Sequence, residues 1–278
     1  MGAGGAGSLL VEYLARLGVG RIMVADPDRL DITNLPRVVG ATRWDARTWL
    51  TEMARPEWLR RIGKRLAARK VNVAAILARR AGSRTRLERI FGDVTDEHVA
   101  HRFGDCDYLF LAADPHQARL VFNALVHQYL VPGVQVGAKV VVDRDSGRLL
   151  DVFAVSRPVT PSGGCLWCNG FILPERLQAE AATPAERRAQ RYVEDPNVRA
   201  PSVITLNAIA ASQAASDFLF WLTGLAEPEA SSDYVRFLPR RRDVRFDAPR
   251  RDPACPECGT RGISRLARGD GVSLPTRQ

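Results

Sequence analysis

The first residues of this chain that could do chemistry are glycines. Gly2, Gly4 and Gly7 follow the pattern G-x-G-x-x-G, with Gly5 between them. The backbone of such a loop approaches a phosphate closely, and the helix behind it presents free N–H groups and the positive end of its dipole. The sequence therefore predicts a phosphate-binding loop at the start of the chain, followed by a helix.

A carboxylate follows the next short apolar segment. Residues 21–25 predict a buried strand, and Asp26 stands at its end, where it could accept hydrogen bonds from ribose hydroxyls. Up to this point the pattern suits an NAD-dependent dehydrogenase equally well. The loop should also follow a strand, yet only Met1 precedes it, so we expect the first strand of the sheet to be missing. A start codon assigned too late, a fragment and a compensating fold all stay open.

Charged and amide side chains then recur along the chain. Asp28, Asn34 and Arg37 lie in a polar loop, Lys70 lies in a predicted helix, and Asp114 follows an apolar strand and is followed by Arg119 and Asn123. Arginine and lysine supply fixed positive charge to a triphosphate, and a carboxylate at a strand end can hold Mg²⁺. A hydride-transfer enzyme has no need of this set. The pattern therefore favours ATP over NAD.

Four of the five cysteines form two C-x-x-C pairs, Cys165 with Cys168 and Cys255 with Cys258. Four thiolates from two such turns predict a closed, tetrahedral zinc site of the structural kind, and a redox dithiol is less favoured. The site would tie a long loop to the C-terminal part of the chain. The fifth cysteine, Cys106, is interpreted as a buried, inert thiol.

These motifs together resemble the ThiF/MoeB/HesA family, relatives of ubiquitin-activating enzymes, in family order from residue 2 to residue 259. The resemblance implies an enzyme that uses MgATP to adenylate a carboxylate and releases pyrophosphate. The implied substrate is the C-terminus of a ubiquitin-like or sulfur-carrier protein, or a peptide. The implied assembly is a homodimer.

The resemblance also implies which residues bind ATP: Gly2, Gly4, Gly5, Gly7, Asp26, Asp28, Asn34, Arg37, Lys70 and Asp114. Of these, Arg37, Lys70 and Asp114 are the expected catalytic residues. Arg37 would reach the phosphates, Lys70 would neutralise charge on the α-phosphate, and Asp114 would bind Mg²⁺ or orient the reacting groups. Alternatively, Arg37 and Lys70 are surface charges, and Asp114 is a turn residue. Pro115 departs from the family pattern, which usually has Asn after this Asp.

A nucleophilic cysteine is absent from the predicted crossover loop, because residues 169–201 contain none. Some relatives carry one there. We therefore expect adenylation without a covalent thioester on this chain. The alternative hypothesis is a catalytically silent partner subunit in a heterodimer.

The predicted fold class is α/β, with a Rossmann-like, doubly wound, mainly parallel sheet, a C-terminal antiparallel part and a structural zinc site. A single adenylation domain is expected over residues 1–268. It would comprise a nucleotide-binding half, 2–157, a crossover loop, 158–201, and a late helix with antiparallel strands and the second cysteine pair, 202–268. Residues 269–278 are expected to be a flexible tail.

An unusual insertion precedes a predicted helix. Residues 64–80 predict one continuous helix, and residues 41–61 before it carry Trp44, Trp49 and Trp58 among five arginines. The tryptophans could form a docking surface for a partner, but we favour the core face of an extra helix.

Composition adds little about function. The net charge is +9, and the hydrophobic content of 46 % is ordinary for a globular protein. The cations are spread along the chain, so nucleic-acid binding is not expected. There is no long apolar run and no signal peptide, which predicts a cytoplasmic protein without membrane contact.

Overall fold

The structure is a computed structural model that describes residues 1–81, 84–143, 146–181, 202–227 and 233–277. The helices in this part are α1 (Gly5–Arg16), α2 (Thr48–Thr51), α3 (Glu57–Leu66), α4 (Lys70–Arg80), α5 (Glu97–Ala100), α6 (His116–Gln128), α7 (Pro174–Ala181) and α8 (Ile204–Thr223). The strands are β1 (Arg21–Ala25), β2 (Arg86–Ile90), β3 (Leu109–Leu111), β4 (Gly133–Val142), β5 (Leu149–Val159), β6 (Tyr234–Leu238) and β7 (Asp243–Asp247). Residues 182–201 of the predicted crossover loop lie outside the described residues.

The strands of the described residues form two sheets. In the first, β1 pairs with β2 in parallel. In the second, the order is β3-β4-β5-β6-β7, with β3 and β4 parallel and every later pair antiparallel. The predicted α/β class, with a parallel part followed by an antiparallel part, is confirmed.

Residues 1–3 lie between the two sheets. The amino group of Met1 donates to the Phe110 carbonyl at 2.9 Å, and Ala112 N–H donates to the Met1 carbonyl at 2.9 Å. On the other side, Gly2 N–H donates to the Ala25 carbonyl at 2.8 Å. These few residues therefore bond to both β1 and β3, where the sequence predicts that a first strand is missing.

Helices cover both faces of the second sheet. Side chains alternate along β3, so this strand contributes to the cores on both faces. Leu109 and Leu111 pack into a core with the apolar face of α6. Phe110 points to the opposite face and joins a second core formed by α1, α8 and strands β4 and β5. This arrangement is the doubly wound packing that the sequence predicts.

The helix expected over residues 64–80 is broken, which corrects the prediction. α3 ends at Leu66, and α4 begins at Lys70. Ala68 lies in the break, where its N–H donates to the Asp45 carbonyl and its own carbonyl accepts from Leu30 N–H, both at 2.8 Å. These bonds to distant segments outweigh local helix propensity. Lys70 is placed at the start of a helix as a result.

The tryptophan-rich insertion does not form a core face, so the favoured interpretation is wrong for two of its three tryptophans. Trp44 and Trp58 are 69 % and 63 % exposed. Trp49 is half-buried and packs edge-on against Trp44, with ring centroids 4.6 Å apart.

The C-terminal segment also differs from expectation, because residues 269–277 pack against α6 rather than forming a loose tail. Leu274 is buried. The Gln128 amide donates to the Gly269 carbonyl at 2.7 Å, and Arg277 N–H donates to the Thr95 carbonyl at 2.7 Å. The buried leucine and these backbone contacts hold the segment in place.

Candidate functional site

The glycine loop lies at the carboxyl ends of β1 and β3 and leads into α1, with Gly4 capping the helix. Gly2 has a φ of +92°, and a side chain there would meet the Ala112 carbonyl oxygen at 2.7 Å. A side chain at Gly7 would overlap the Gly2 carbonyl. Only glycine permits this tight turn, which leads into the start of α1, where the first N–H groups have no partner within the helix.

Asp26 fastens the loop to the end of β1. Its Oδ2 accepts from Ala3 N–H at 2.8 Å, and its Oδ1 accepts from Asp28 N–H at 2.9 Å. Asp26 is only 7 % exposed. A buried carboxylate with two backbone donors is held rigidly, and each oxygen keeps a second lone pair for a ligand hydroxyl.

Lys70 brings a positive charge to the same place. Its Nζ lies 2.6 Å from Oδ2 of Asp28 and 3.8 Å from Oδ1 of Asp26. The Lys70 side chain is 11 % exposed, whereas that of Asp28 is 63 % exposed. The lysine is therefore fixed beside the loop, and its main counterion is an exposed carboxylate that an incoming anion can replace.

Asn34 and Arg37 lie in the segment that follows Asp31. Asn34 is buried, and its amide oxygen accepts from Asp31 N–H at 3.1 Å in a reciprocal cap. Arg37 is half-buried; its Nη1 donates to the Thr33 carbonyl at 3.2 Å, and its Cβ lies against Gly5. Thus Asn34 shapes the segment that brings Arg37 beside the glycine loop.

The structure adds two neighbours of the loop that the sequence analysis missed. Asn207, in the first turn of α8, is buried, and its amide nitrogen fills the space in which a Gly5 side chain would lie. Ser8 is buried in α1, and its hydroxyl oxygen accepts from Val39 N–H at 3.0 Å. Neither residue has a recognisable spacing in sequence, since both reach the loop through tertiary packing.

An aromatic residue follows the strand that pairs with β1, because Ile90 pairs with Ala25 and Phe91 comes next. Phe91 follows β2 directly, and the Arg69 guanidinium lies 4.1 Å from its ring centroid. Phe91 is 47 % exposed. A flat aromatic and cationic surface therefore lies next to the end of β1, and the sequence analysis also missed it.

Asp114 is exposed in the turn between β3 and α6. The first N–H groups of that helix, those of His116 and Gln117, donate to the Glu180 carboxylate at 2.8 Å each. Burial lowers the pKa of Arg119, one turn into the helix, and the Asp114 carboxylate opposes that shift. Asp114 thus lies near a cation, with its own oxygens available to a hard metal ion such as Mg²⁺.

The four paired cysteines form one cluster, as predicted. The Sγ atoms of Cys165 and Cys255 are 3.8 Å apart, those of Cys168 and Cys258 are 3.6 Å apart, and all four lie within 4.8 Å of one another. A tetrahedral zinc with bonds of about 2.3 Å requires sulfur atoms about 3.8 Å apart. The donor set and spacing therefore fit zinc.

Backbone N–H groups donate hydrogen bonds to two of the cysteine sulfur atoms. Cys168 N–H donates to Sγ of Cys165 at 3.4 Å, and Glu257 N–H donates to Sγ of Cys255 at 3.4 Å. Hydrogen bonding from Cys165 lowers the pKa of Cys258. This shift favours the thiolate, which is the form of cysteine that binds metal.

A buried hydrogen-bond network supports the cysteine cluster and accounts for the position of Asn123. The sequence groups Asn123 with Asp114, but the structure places it elsewhere. Its amide nitrogen donates to Glu257 at 3.1 Å, and its oxygen accepts from Leu166 N–H at 2.9 Å. Glu257 also accepts from Arg265 at 3.1 Å. Asn123 therefore links α6 to both cysteine turns and does not belong to the nucleotide site.

Cys106 lies apart from the cluster, before the amino end of β3. It is half-buried, and burial raises the pKa of its thiol. A thiol kept protonated is a weak nucleophile.

Comparison with known proteins finds a matching family and similar sequences. The family model described as the ThiF family matches residues 1–259. The sulfur carrier protein ThiS adenylyltransferase of Bacillus subtilis (strain 168) is 26 % identical over 268 residues, covering 96 % of this chain and 66 % of the relative. A tRNA threonylcarbamoyladenosine dehydratase of the same organism is 54 % identical over 41 residues, 15 % of this chain and 16 % of that protein.

Solved structures share the fold. E. coli MccB with ATP has a TM-score of 0.65 at 19 % identity, covering 93 % of this chain and 64 % of that chain. The Microcin C7 biosynthetic enzyme MccB with N-formylated MccA has a TM-score of 0.66 at 19 % identity, covering 93 % of this chain and 66 % of that chain. The chain thus spans about two thirds of the length of these relatives. Within the described residues, no helix is long and apolar enough to cross a membrane.

Proposed function

The chain belongs to the ThiF family, and from that premise we propose that it is an ATP-dependent adenylyltransferase that activates a carboxylate. One observation carries the proposal: Asp26 binds Ala3 of the glycine loop and lies 3.8 Å from Nζ of Lys70. A helix start, a carboxylate for ribose and a fixed cation therefore converge at one edge of the fold. This set suits a nucleoside triphosphate, whose phosphates need both N–H donors and positive charge.

We assign the nucleotide contacts as follows. The loop of Gly2, Gly4, Gly5 and Gly7 holds the phosphates, and Asp26 accepts from the ribose hydroxyls. Asp28 releases Lys70 when the phosphates bind and stays at the edge of the site. Arg37 reaches the phosphates from beside Gly5, and Asn34 positions the segment that carries it.

The reaction needs alignment and charge neutralisation above all. A carboxylate oxygen of the substrate attacks the α-phosphorus, a new C–O–P linkage forms, and the bond to the β-phosphate breaks with its electron pair leaving on pyrophosphate. An anion attacks another anion slowly unless nearby cations neutralise the phosphate charge. Lys70 and Arg37 supply these cations. Asp114 is the proposed ligand of Mg²⁺, which would neutralise further phosphate charge. Zinc at the cysteine cluster would be structural.

The substrate is proposed to be the C-terminus of a ubiquitin-like or sulfur-carrier protein, or a peptide. The support is the kind of relative that matches: one is a ThiS adenylyltransferase, and MccB was solved with MccA. The acyl-adenylate would pass to an external nucleophile without a thioester on this chain. Cys106, outside the cluster and with a raised pKa, is a poor candidate for such an adduct.

A homodimer is proposed as the working assembly. The alternative is a silent subunit of a heterodimer, which Pro115 favours, because a proline at the cap of α6 replaces a side chain that could hydrogen-bond to substrate.

The experiment that tests the proposal is mass spectrometry of the chain incubated with MgATP and B. subtilis ThiS or MccA peptide. An AMP adduct on the substrate's C-terminus supports the proposed activity. ATP bound without any adduct on either substrate, and without pyrophosphate release, supports the silent subunit instead. NAD binding with no ATP binding would exclude both.

A further inference from the structure

A cavity of about 240 Å³ lies on the sheet, apart from the glycine loop. Its walls come from β5, β6, the residues after Cys168 and the end of β7. The side chains that matter for its chemistry are Arg157, Phe171, Tyr234, Arg236 and Asp247. The cavity is lined by more positive than negative charge, because two arginines face a single carboxylate.

Arg157 is buried although it is charged. It is 9 % exposed, its Nη1 donates to Oε1 of Gln135 at 2.5 Å, and its guanidinium lies 4.0 Å from the Phe171 ring centroid. Burial first, and then the charges of Arg119 and Arg236, lower the pKa of Arg157 to about 10. The positive charge at this end of the cavity is therefore only partly compensated.

Two further donors lack acceptors. Tyr234 is 4 % exposed, and its hydroxyl has no hydrogen-bond partner within the described residues; the same holds for Nε of Arg236. The nearest ion-pair contact of Arg236 is Asp247, at 3.8 Å, too long for a hydrogen bond. Buried donors are nearly always paired, so this wall can take an acceptor that the described residues do not supply.

We propose that this cavity binds an oxyanion, the carboxylate or phosphate group of a ligand, through the Tyr234 hydroxyl, Arg236 and Arg157. A single negative charge would balance the excess positive charge, and its oxygens would accept from both unpaired donors. The Phe171 ring forms an apolar wall beside the site. Charged hydrogen bonds to arginine are among the stronger polar contacts in proteins.

The cavity is separate from the proposed nucleotide site but is joined to it through Phe171. Nη1 of Arg119, the arginine near Asp114, donates to the Phe171 carbonyl at 3.0 Å, while Arg157 lies over the Phe171 ring. The oxyanion could be a free small anion or an acidic side chain on a bound peptide. The two sources share their chemistry, so the test includes both.

The test is calorimetric titration of the full chain, at constant ionic strength, with inorganic phosphate, succinate and a blocked tetrapeptide carrying one Glu. A matched tetrapeptide with Gln in place of Glu is the uncharged control. Tyr234→Phe removes only the unpaired hydroxyl, so the fold should be kept. We expect it to weaken binding of the preferred anion about tenfold, which equals about 1.4 kcal/mol, and Arg236→Gln to weaken binding further.

Two control variants separate this site from general attraction to a basic protein. Tyr129→Phe removes a hydroxyl that donates to Asp270 at 2.7 Å and that does not line the cavity, and Arg240→Gln removes an exposed charge near β6. Both should bind the anion as the wild type does. Preference for succinate or phosphate identifies a free anion, and preference for the Glu peptide identifies a peptide-borne carboxylate. No saturable binding of any probe, or equal binding by all four variants, would overturn the proposal, and neither result depends on adenylation.

Discussion

Nζ of Lys70 lies 2.6 Å from Oδ2 of Asp28, and this ion pair holds the lysine at the start of α4 beside the glycine loop. The pair exists because the chain leaves the helical path at Ala68 and begins a new helix at Lys70. Asp28 is largely exposed, so it can turn away when a phosphate approaches.

Lys70→Met should abolish most of the adenylation activity. Removing a positive charge aimed at a developing anion typically lowers the rate about 100-fold or more. The measurement is the rate of substrate-dependent pyrophosphate release. Lys64→Met is the matched control, because Lys64 is an exposed lysine on α3 and should leave that rate unchanged. Equal rates for the two variants would show that Lys70 has no catalytic role.

Asp26→Asn should weaken ATP binding and destabilise the loop together. The amide keeps one oxygen, so one of the two backbone bonds to Ala3 and Asp28 is lost, at a cost of about 1–2 kcal/mol in the free energy of unfolding. We expect about a tenfold weaker ATP affinity by equilibrium dialysis. Asp107→Asn, an exposed carboxylate before β3, is the control and should alter neither quantity. Unchanged ATP affinity in Asp26→Asn would argue against a ribose contact.

Zinc should be found at one ion per chain and should stabilise the fold. Cys258→Ser removes one of the four ligands, so we expect loss of the metal and a fall in stability of about 4 kcal/mol or more. For a chain of this size that is a fall in the melting temperature of roughly 10 °C. Metal analysis and thermal unfolding measure both effects. Cys106→Ser should retain zinc and the melting temperature, and metal retained in Cys258→Ser would contradict the four-cysteine site.

Stability should fall on mild acidification because of His127. Burial lowers its pKa to about 4 from an ordinary value near 6.5. The unfolded chain therefore binds a proton at a higher pH than the folded chain does. The stability that depends on neutral His127 is complete above about pH 6.5 and is lost progressively as the pH falls toward 4, by up to about 3 kcal/mol.

Denaturant unfolding of His127→Gln between pH 7 and pH 4 tests this dependence. The variant should lose less stability than the wild type over that range, whatever its stability at pH 7. His98→Gln, which removes an exposed histidine, should follow the wild-type curve. Parallel curves for wild type and His127→Gln would assign the acid sensitivity to other groups.

The sequence predicts those parts of the site that local spacing determines. The glycine loop, Asp26 and the two cysteine pairs are short motifs whose geometry depends on a few neighbouring residues, and each is found at the expected end of a strand or turn. The sequence also indicates Lys70 as a phosphate-binding residue. It does not predict that Lys70 begins a helix, because the break at Ala68 depends on bonds to Leu30 and Asp45.

Residues brought in by tertiary packing escaped the sequence analysis. Asn207 reaches Gly5 from α8, and Glu180 reaches the start of α6 from α7. Asn123 was grouped with Asp114 because both follow the same strand, yet the side chain lies on the buried face of α6 that meets the cysteine turns. The unpaired donors around Arg157 are likewise visible only once β5 and β6 are placed side by side.

ATP–pyrophosphate exchange tests the central claim most directly. The chain would be incubated with MgATP, labelled pyrophosphate and, in turn, B. subtilis ThiS, MccA peptide and the small proteins encoded by neighbouring genes. We predict label appearing in ATP with one of these substrates, and none when that substrate lacks its C-terminal residue or when Lys70 is replaced by Met. Tight binding of ATP without exchange in the presence of every substrate would contradict adenylation and leave a nucleotide-binding partner subunit.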